Sequence, residues 1–234
     1  MSDQKVAIVT AASRGMGEAI ARRLARNGFR VALMSRSREI LELAGELGGL
    51  GHVGSVTSPE ELERLVERTT EAYGRIDALV CNTGHPPKGD LLDIPDSAWH
   101  EGLDLVFLNV VRLARLVTPW MERQGGGSIV AISTFGAVEP SLSFPVSSAL
   151  RAGLGAFIKL YADRYGHSGI RINSVLPGFI ETYEVGEEIR AQVPLGRGGL
   201  TEEVAGTVAF LLSDDAGYLT GQSIRVDGGI TRSV

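Results

Sequence analysis

With 234 residues and a formal net charge of -5, the chain is long enough for one large α/β core; its 23 basic and 28 acidic residues are interspersed, which argues against a nucleic-acid partner. A single cysteine and four scattered histidines leave no internal disulfide and no metal site to expect. No apolar run reaches bilayer length and the opening residues carry no charged-then-apolar leader, so the expectation is a soluble, cytoplasmic, single-domain protein with no membrane partner.

Along the chain, short β-branched runs alternate with longer amphipathic stretches, the pattern of an α/β fold: a doubly wound parallel sheet of seven strands with helices on both faces. The first strand, Val6–Thr10, runs into Thr10-Ala11-Ala12-Ser13-Arg14-Gly15-Met16-Gly17, which opens a helix over 15–27. Glycines between a strand and a helix let the backbone approach a pyrophosphate, and the free N–H groups of the helix start face the anion. The same glycines would also serve a tight turn that binds nothing. The second strand, Arg30–Ser35, leads into Ser35-Arg36-Ser37-Arg38, where no carboxylate is available to accept from ribose hydroxyls. Arg14 and Arg36 offer guanidinium forks suited to a 2′-phosphate instead, which favours NADP(H) over NAD(H).

A helix over 39–47, a strand over 52–56 and a helix over 59–73 follow, then a strand over 78–82 that ends in Cys81-Asn82-Thr83-Gly84 and His85. Next come a long helix over 98–124, a glycine turn over 125–127, a strand over 128–133 and a helix over 147–165. A strand over 171–176 reaches Pro177 and Gly178. A short segment then runs from Thr182 to Pro194, acidic through Glu181, Glu184, Glu187 and Glu188. The last helix spans 201–212, with Thr201 as its expected N-cap and Glu202 and Glu203 complementing the helix dipole, before a strand over 223–226.

These motifs together resemble the short-chain dehydrogenase/reductase family over nearly the whole chain. Thr10 to Gly17 is similar to its T-G-x-x-x-G-x-G loop with Ala11 at the first glycine, and Cys81-Asn82-Thr83-Gly84 to its N-N-A-G motif. Arg171-Ile172-Asn173-Ser174-Val175-Leu176-Pro177-Gly178 resembles the strand and turn beside the nicotinamide, and Thr182 the carboxamide-contacting threonine. Pro194 to Arg197, Thr201 to Val204, Tyr218 to Gly221 and Val226 to Gly229 look like the bacterial 3-oxoacyl-carrier-protein reductase branch. The resemblance implies a cofactor site built from Thr10, Ser13, Arg14, Gly15, Met16, Gly17, Arg36, Asn82, Gly84, Arg151, Pro177, Gly178, Ile180 and Thr182.

It also implies an active site of Asn, Ser and Tyr-x-x-x-Lys, and here this chain departs from the pattern. A gapless match of Trp99 and Pro119 puts Val106 at the Asn, which cannot hold a water. Ile132-Ser133-Thr134 puts Thr134 at the Ser, with Ser133 as the alternative. Ser147-Ser148-Ala149-Leu150-Arg151 falls on Tyr-x-x-x-Lys. Thr134 keeps a hydroxyl able to donate to an oxyanion, Ser147 is a far poorer acid than a phenol, and Arg151, with a pKa expected above about 12, would hold ribose without relaying protons. Substitute proton donors are His85, Tyr183, Ser147 itself or water.

The implied activity is NADP(H)-dependent reduction of a small-molecule carbonyl or conjugated enone, with the acidic segment disfavouring a bulky anionic substrate. Two alternatives are a dinucleotide-binding homologue without turnover and a non-redox lyase, since halohydrin dehalogenases resemble this family and carry arginine at the Lys position. The helices over 98–124 and 147–165 resemble the pair through which family members form dimers and tetramers, and a homotetramer is expected.

Overall fold

The computed structural model describes residues 4–182 and 184–233. Seven strands, β1 (Val6–Thr10), β2 (Arg30–Ser35), β3 (Leu50–Val53), β4 (Ala78–Cys81), β5 (Gly127–Ile132), β6 (Ile170–Pro177) and β7 (Ser223–Val226), form one all-parallel sheet in the order β3-β2-β1-β4-β5-β6-β7. Parallel strands covered on both faces are apolar throughout, and β1, Val-Ala-Ile-Val-Thr, is buried at every position. Along it Ala7 and Val9 point into one core layer and Ile8 into the other.

The first layer packs α1 (Gly15–Arg26), α2 (Glu39–Glu46) and α8 (Thr201–Leu212) on the sheet through Ile20, Leu24, Ile40, Val204 and Val208. The second packs α3 (Pro59–Tyr73), α5 (Asn109–Arg123) and α6 (Pro145–Tyr165) through Leu62, Leu65, Leu113, Val117, Leu154 and Ile158. Full burial of each such side chain contributes about 1.5–3 kcal/mol. Short helices α4 (Asp96–Leu103) and α7 (Glu187–Arg190) complete the set. The strand order reverses between β1 and β4, so a crevice opens at the carboxyl ends of the strands. In sheets of this kind that is where ligands bind.

The local signals explain most boundaries. Ser58 caps α3 by accepting from the Glu61 N–H at 3.3 Å, Pro59 sits at the first helical position, and Gly74 closes the helix at φ 73°. Three expectations need correction. The third strand is Leu50–Val53 rather than 52–56, because Ser55 turns the chain: its hydroxyl accepts from the Thr57 N–H and its carbonyl from the Ser58 N–H. Thr201 is not the N-cap of α8; Leu200 is, and the Glu203 carboxylate accepts from the Leu200 N–H at 2.8 Å.

The helix expected over 98–124 is broken. Between α4 and α5 lies one widened π turn, Asp104–Leu108, spanned by an ion pair from Arg112 Nη2 to Asp104 Oδ1 at 2.6 Å. A continuous apolar period does not reveal one inserted residue.

Candidate active site

Five strands, β1, β2, β4, β5 and β6, carry predicted residues at their carboxyl ends. At the end of β1, the Thr10 hydroxyl donates to the Asn82 carbonyl at 2.7 Å and accepts from the Asn82 N–H at 3.0 Å, while Asn82 Nδ2 donates to the Ala11 carbonyl at 3.1 Å. The end of β4 is thereby fastened to the phosphate loop. Ala11 holds φ at 47°, the left-handed region that favours glycine, so alanine replaces the expected glycine here at some strain. A Cβ on Gly17 would collide with the Ala11 carbonyl oxygen and stand 2.7 Å from Asn82 Nδ2 and 2.9 Å from Ala12 Cα, so only glycine fits. Gly15 adopts φ 59°, and a Cβ there would meet Thr182 at 3.2 Å. Thr182, from the segment after β6, therefore lies over the loop. Around Gly84 nothing stands within 4 Å of where a Cβ would sit.

Ser13 accepts from the Ser35 hydroxyl at 2.8 Å, linking the loop to the end of β2, and Met16 packs on the first core layer. Arg14 and Arg36 are exposed, and neither has an ion-pair partner among the described residues, so both guanidinium groups are available at the loop's outer rim. Pro177 ends β6 opposite Val226. A Cβ on Gly178 would press on Asp227, and Ile180 bridges to Gly199.

Of the residues expected at the catalytic positions, Arg151 is the most constrained. From α6 it reaches the end of β5, where Nη1 donates to the Ile132 carbonyl at 2.5 Å, and it is only 7% exposed. Burial pulls its pKa down from the ordinary arginine value, and it is still a cation at neutral pH. Its Nε is buried with no hydrogen-bond partner among the described residues, a donor left over after the carbonyl contact. Ser147 lies one turn before it on α6 and is buried. Thr134 follows β5, and its hydroxyl accepts from the Gly136 N–H at 3.4 Å, capping a one-turn helix over Phe135–Ala137. Ser133, the alternative, is also buried. Val106 is 1% exposed inside the π turn, a core side chain.

His85 lies at the surface, yet its pKa is lowered by partial burial and by the charges of Lys88 and Arg151, so it shares the electrostatic environment of the crevice. Tyr183, the other substitute donor considered, lies outside the described residues.

The segment expected to be acidic contains a cation as well. Glu181, Thr182, Glu184 and Arg190 line one depression, which tempers the expected repulsion of anions. Two buried polar groups escaped the sequence reading. The Thr83 hydroxyl, beside Asn82, is buried without a partner among the described residues. Asn109, three residues beyond Val106, donates to the Leu105 carbonyl and leaves Oδ1 buried without a partner among the described residues. An amide at a core-facing helix position was the available signal. Among the described residues, no group of three or more His, Cys, Asp or Glu side chains is placed to hold a metal ion, and no helix is long and apolar enough to cross a membrane.

Comparison with known proteins places this geometry. Residues 10–231 match the family described as enoyl-(acyl carrier protein) reductase. The chain is similar to Dehydrogenase/reductase SDR family member 4 of Bos taurus, 37% identical over 97% of this chain and 87% of that protein. It is also similar to the 3-oxoacyl-acyl-carrier-protein reductases of Thermotoga maritima, at 34% identity, and of Escherichia coli strain K12, at 35%, each over 97% of both chains.

Proposed function

From the premise that this chain belongs to the short-chain dehydrogenase/reductase family, we propose that it is an NADP(H)-dependent oxidoreductase acting on a small carbonyl or conjugated enone, with Ser147 and Arg151 in place of the usual tyrosine and lysine. The observation that carries this reading is the intact cradle: Gly17 has no room for a Cβ, and the Thr10–Asn82 hydrogen bonds pin the loop in place. The Arg151 Nε–H has no hydrogen-bond partner among the described residues, and a ribose hydroxyl would fit it. When bound, the cofactor supplies a hydride.

The chain's own residues divide the remaining work. The exposed guanidinium groups of Arg14 and Arg36 would hold a 2′-phosphate, and the open N–H groups at the start of α1 the pyrophosphate. Arg151 holds ribose and stays charged, and Thr134 donates to the substrate oxygen. Loss of a positioned general acid typically costs about 10²–10⁴ in rate, which orientation and electrostatics can partly offset. A conjugated substrate, whose reduction leaves a delocalised anion that water protonates, lessens the loss further. His85, near Arg151 in the field of the crevice, is the first donor to test.

A second reading, dinucleotide binding without turnover, is favoured by Val106 and Ser147, which remove the water site and the phenol. The lyase reading rests on Arg151 alone and sits poorly with an open cofactor cradle. The helix pair α5 and α6 would join copies into a homotetramer or homodimer, and the expected location is cytoplasmic.

Fluorescence titration with NADPH and NADH, followed by a carbonyl and enone panel, tests the proposal. Tighter NADPH binding, weakened by Arg36→Ala, with oxidation of NADPH by at least one substrate supports it. Tight binding without oxidation favours the second reading, and no dinucleotide binding eliminates both.

A further inference from the structure

Three segments carry the residues at the crevice, and each also brings one phenylalanine to the same place. Phe135 directly follows Thr134, Phe144 precedes Ser147 by three residues at the start of α6, and Phe179 directly follows Gly178. Phe135 meets Phe144 edge-on with centroids 5.8 Å apart, and it meets Phe179 at 5.4 Å with a tilt of 53°. All three residues are partly exposed. Gly136 makes the cluster possible, since a Cβ there would stand 2.5 Å from the Phe144 ring. The loop between Phe135 and Phe144 also exposes Val138 and Leu142, the latter 79% accessible. Aromatic side chains that converge from separate segments and stop half-covered leave a face for another ring, because offset and edge-on ring pairs are favourable beyond simple burial.

We propose that Phe135, Phe144 and Phe179 form a stacking wall that receives a planar aromatic group of the substrate, making aryl-conjugated carbonyl compounds the preferred class. This inference rests on the oxidoreductase reading for its use, but the wall is a binding site that can be measured without turnover. The ring would lie on the wall with its carbonyl directed toward the Thr134 side of the cluster, because Thr134 and Phe135 are neighbours on one turn.

The test compares two enones that differ only in the ring, 4-phenyl-3-buten-2-one and 3-penten-2-one, by ligand-observed NMR titration with and without saturating NADPH. The wild-type chain is expected to bind the phenyl compound about tenfold or more tightly than the methyl one. Phe179→Ala should remove that preference while leaving the methyl compound's affinity unchanged, and Phe179→Tyr, which keeps the ring, should retain it. Phe135→Leu, which keeps apolar volume, should reduce the preference even if Phe179→Ala folds poorly. Equal affinity of the wild type for the two compounds, or parallel loss of both in the variants, overturns the wall, as does no binding of either compound under both conditions. Failure of NADPH to bind, with the phenyl preference intact in its absence, instead overturns the oxidoreductase reading and leaves the wall standing.

Discussion

At residue 17 the absence of a single carbon decides whether the loop between β1 and α1 can take its shape. Gly17→Ala would drive a methyl into the Ala11 carbonyl and the Asn82 amide; overpacking of this kind costs about 1–3 kcal/mol. The expected outcome is a lower thermal midpoint together with at least a tenfold weaker NADPH titration. Six residues earlier the sign reverses. Ala11 is held at φ 47°, so Ala11→Gly should relieve strain and raise stability by up to about 1 kcal/mol in chemical denaturation, less what a more flexible unfolded chain gives back. His85 gives a pH prediction. Burial first, then Lys88 and Arg151, lower its pKa from 6.5, so the folded state binds fewer protons than the unfolded one in the window just below that value. Stability contributed by this group therefore rises with pH through that window and is constant above it. Lys88→Met should move the His85 C2–H NMR titration upward, and no movement would show that the charge does not reach the ring.

Helix ends and helix breaks show what an element's own sequence can specify. The first turn of α8 is held by Glu203, whose carboxylate accepts from the Leu200 N–H and pairs with Arg197. Arg197 first, then the Leu200 N–H, hold the Glu203 pKa down at about 2. Its stabilisation is thus fully present above the ordinary value of 4.5 and is lost as pH falls toward 2. Because the pair is largely exposed, solvent screening leaves the ion pair little stabilisation, and the cap on the Leu200 N–H adds to it. Glu203→Gln should lower the urea midpoint at pH 7 and lower it less at pH 2, where the carboxylate is already partly protonated. That turn was half legible: the acidic pair at 202 and 203 marked it, but which residue is outside the helix depends on backbone angles that a threonine and a leucine reach equally well. The break at Asp104–Leu108 was not legible. The turn and α4 both pack against α6, a contact that the helix's own sequence does not specify.

For the molecule as a whole, the two core layers leave apolar side chains uncovered on α6, on α8 and in the segment before β7. Leu160 on α6 is 68% exposed, Phe210 on α8 is 45% exposed, and Tyr218 is fully exposed. A homotetramer that uses these faces should sediment at four times the 24.9 kDa chain mass, and Leu160→Asp should shift it to a smaller species without loss of helical circular dichroism. A wild-type chain that sediments as a monomer at micromolar concentration would contradict this.

The alternation of short apolar runs with amphipathic stretches was enough to determine the seven parallel strands, because side-chain period and burial on two faces follow directly from residue order. The strand-to-helix glycines likewise marked the loop, since φ and Cβ space are local properties. Only the folded chain decided that Ala11 accepts a left-handed backbone, that Arg151 spends one nitrogen on the Ile132 carbonyl and keeps another free, and that three phenylalanines from distant segments meet beside Thr134. Asn82 meets the Ala11 carbonyl, and Phe179 meets Phe135, only because the ends of β1 and β4, and of β5 and β6, lie side by side once the sheet has closed.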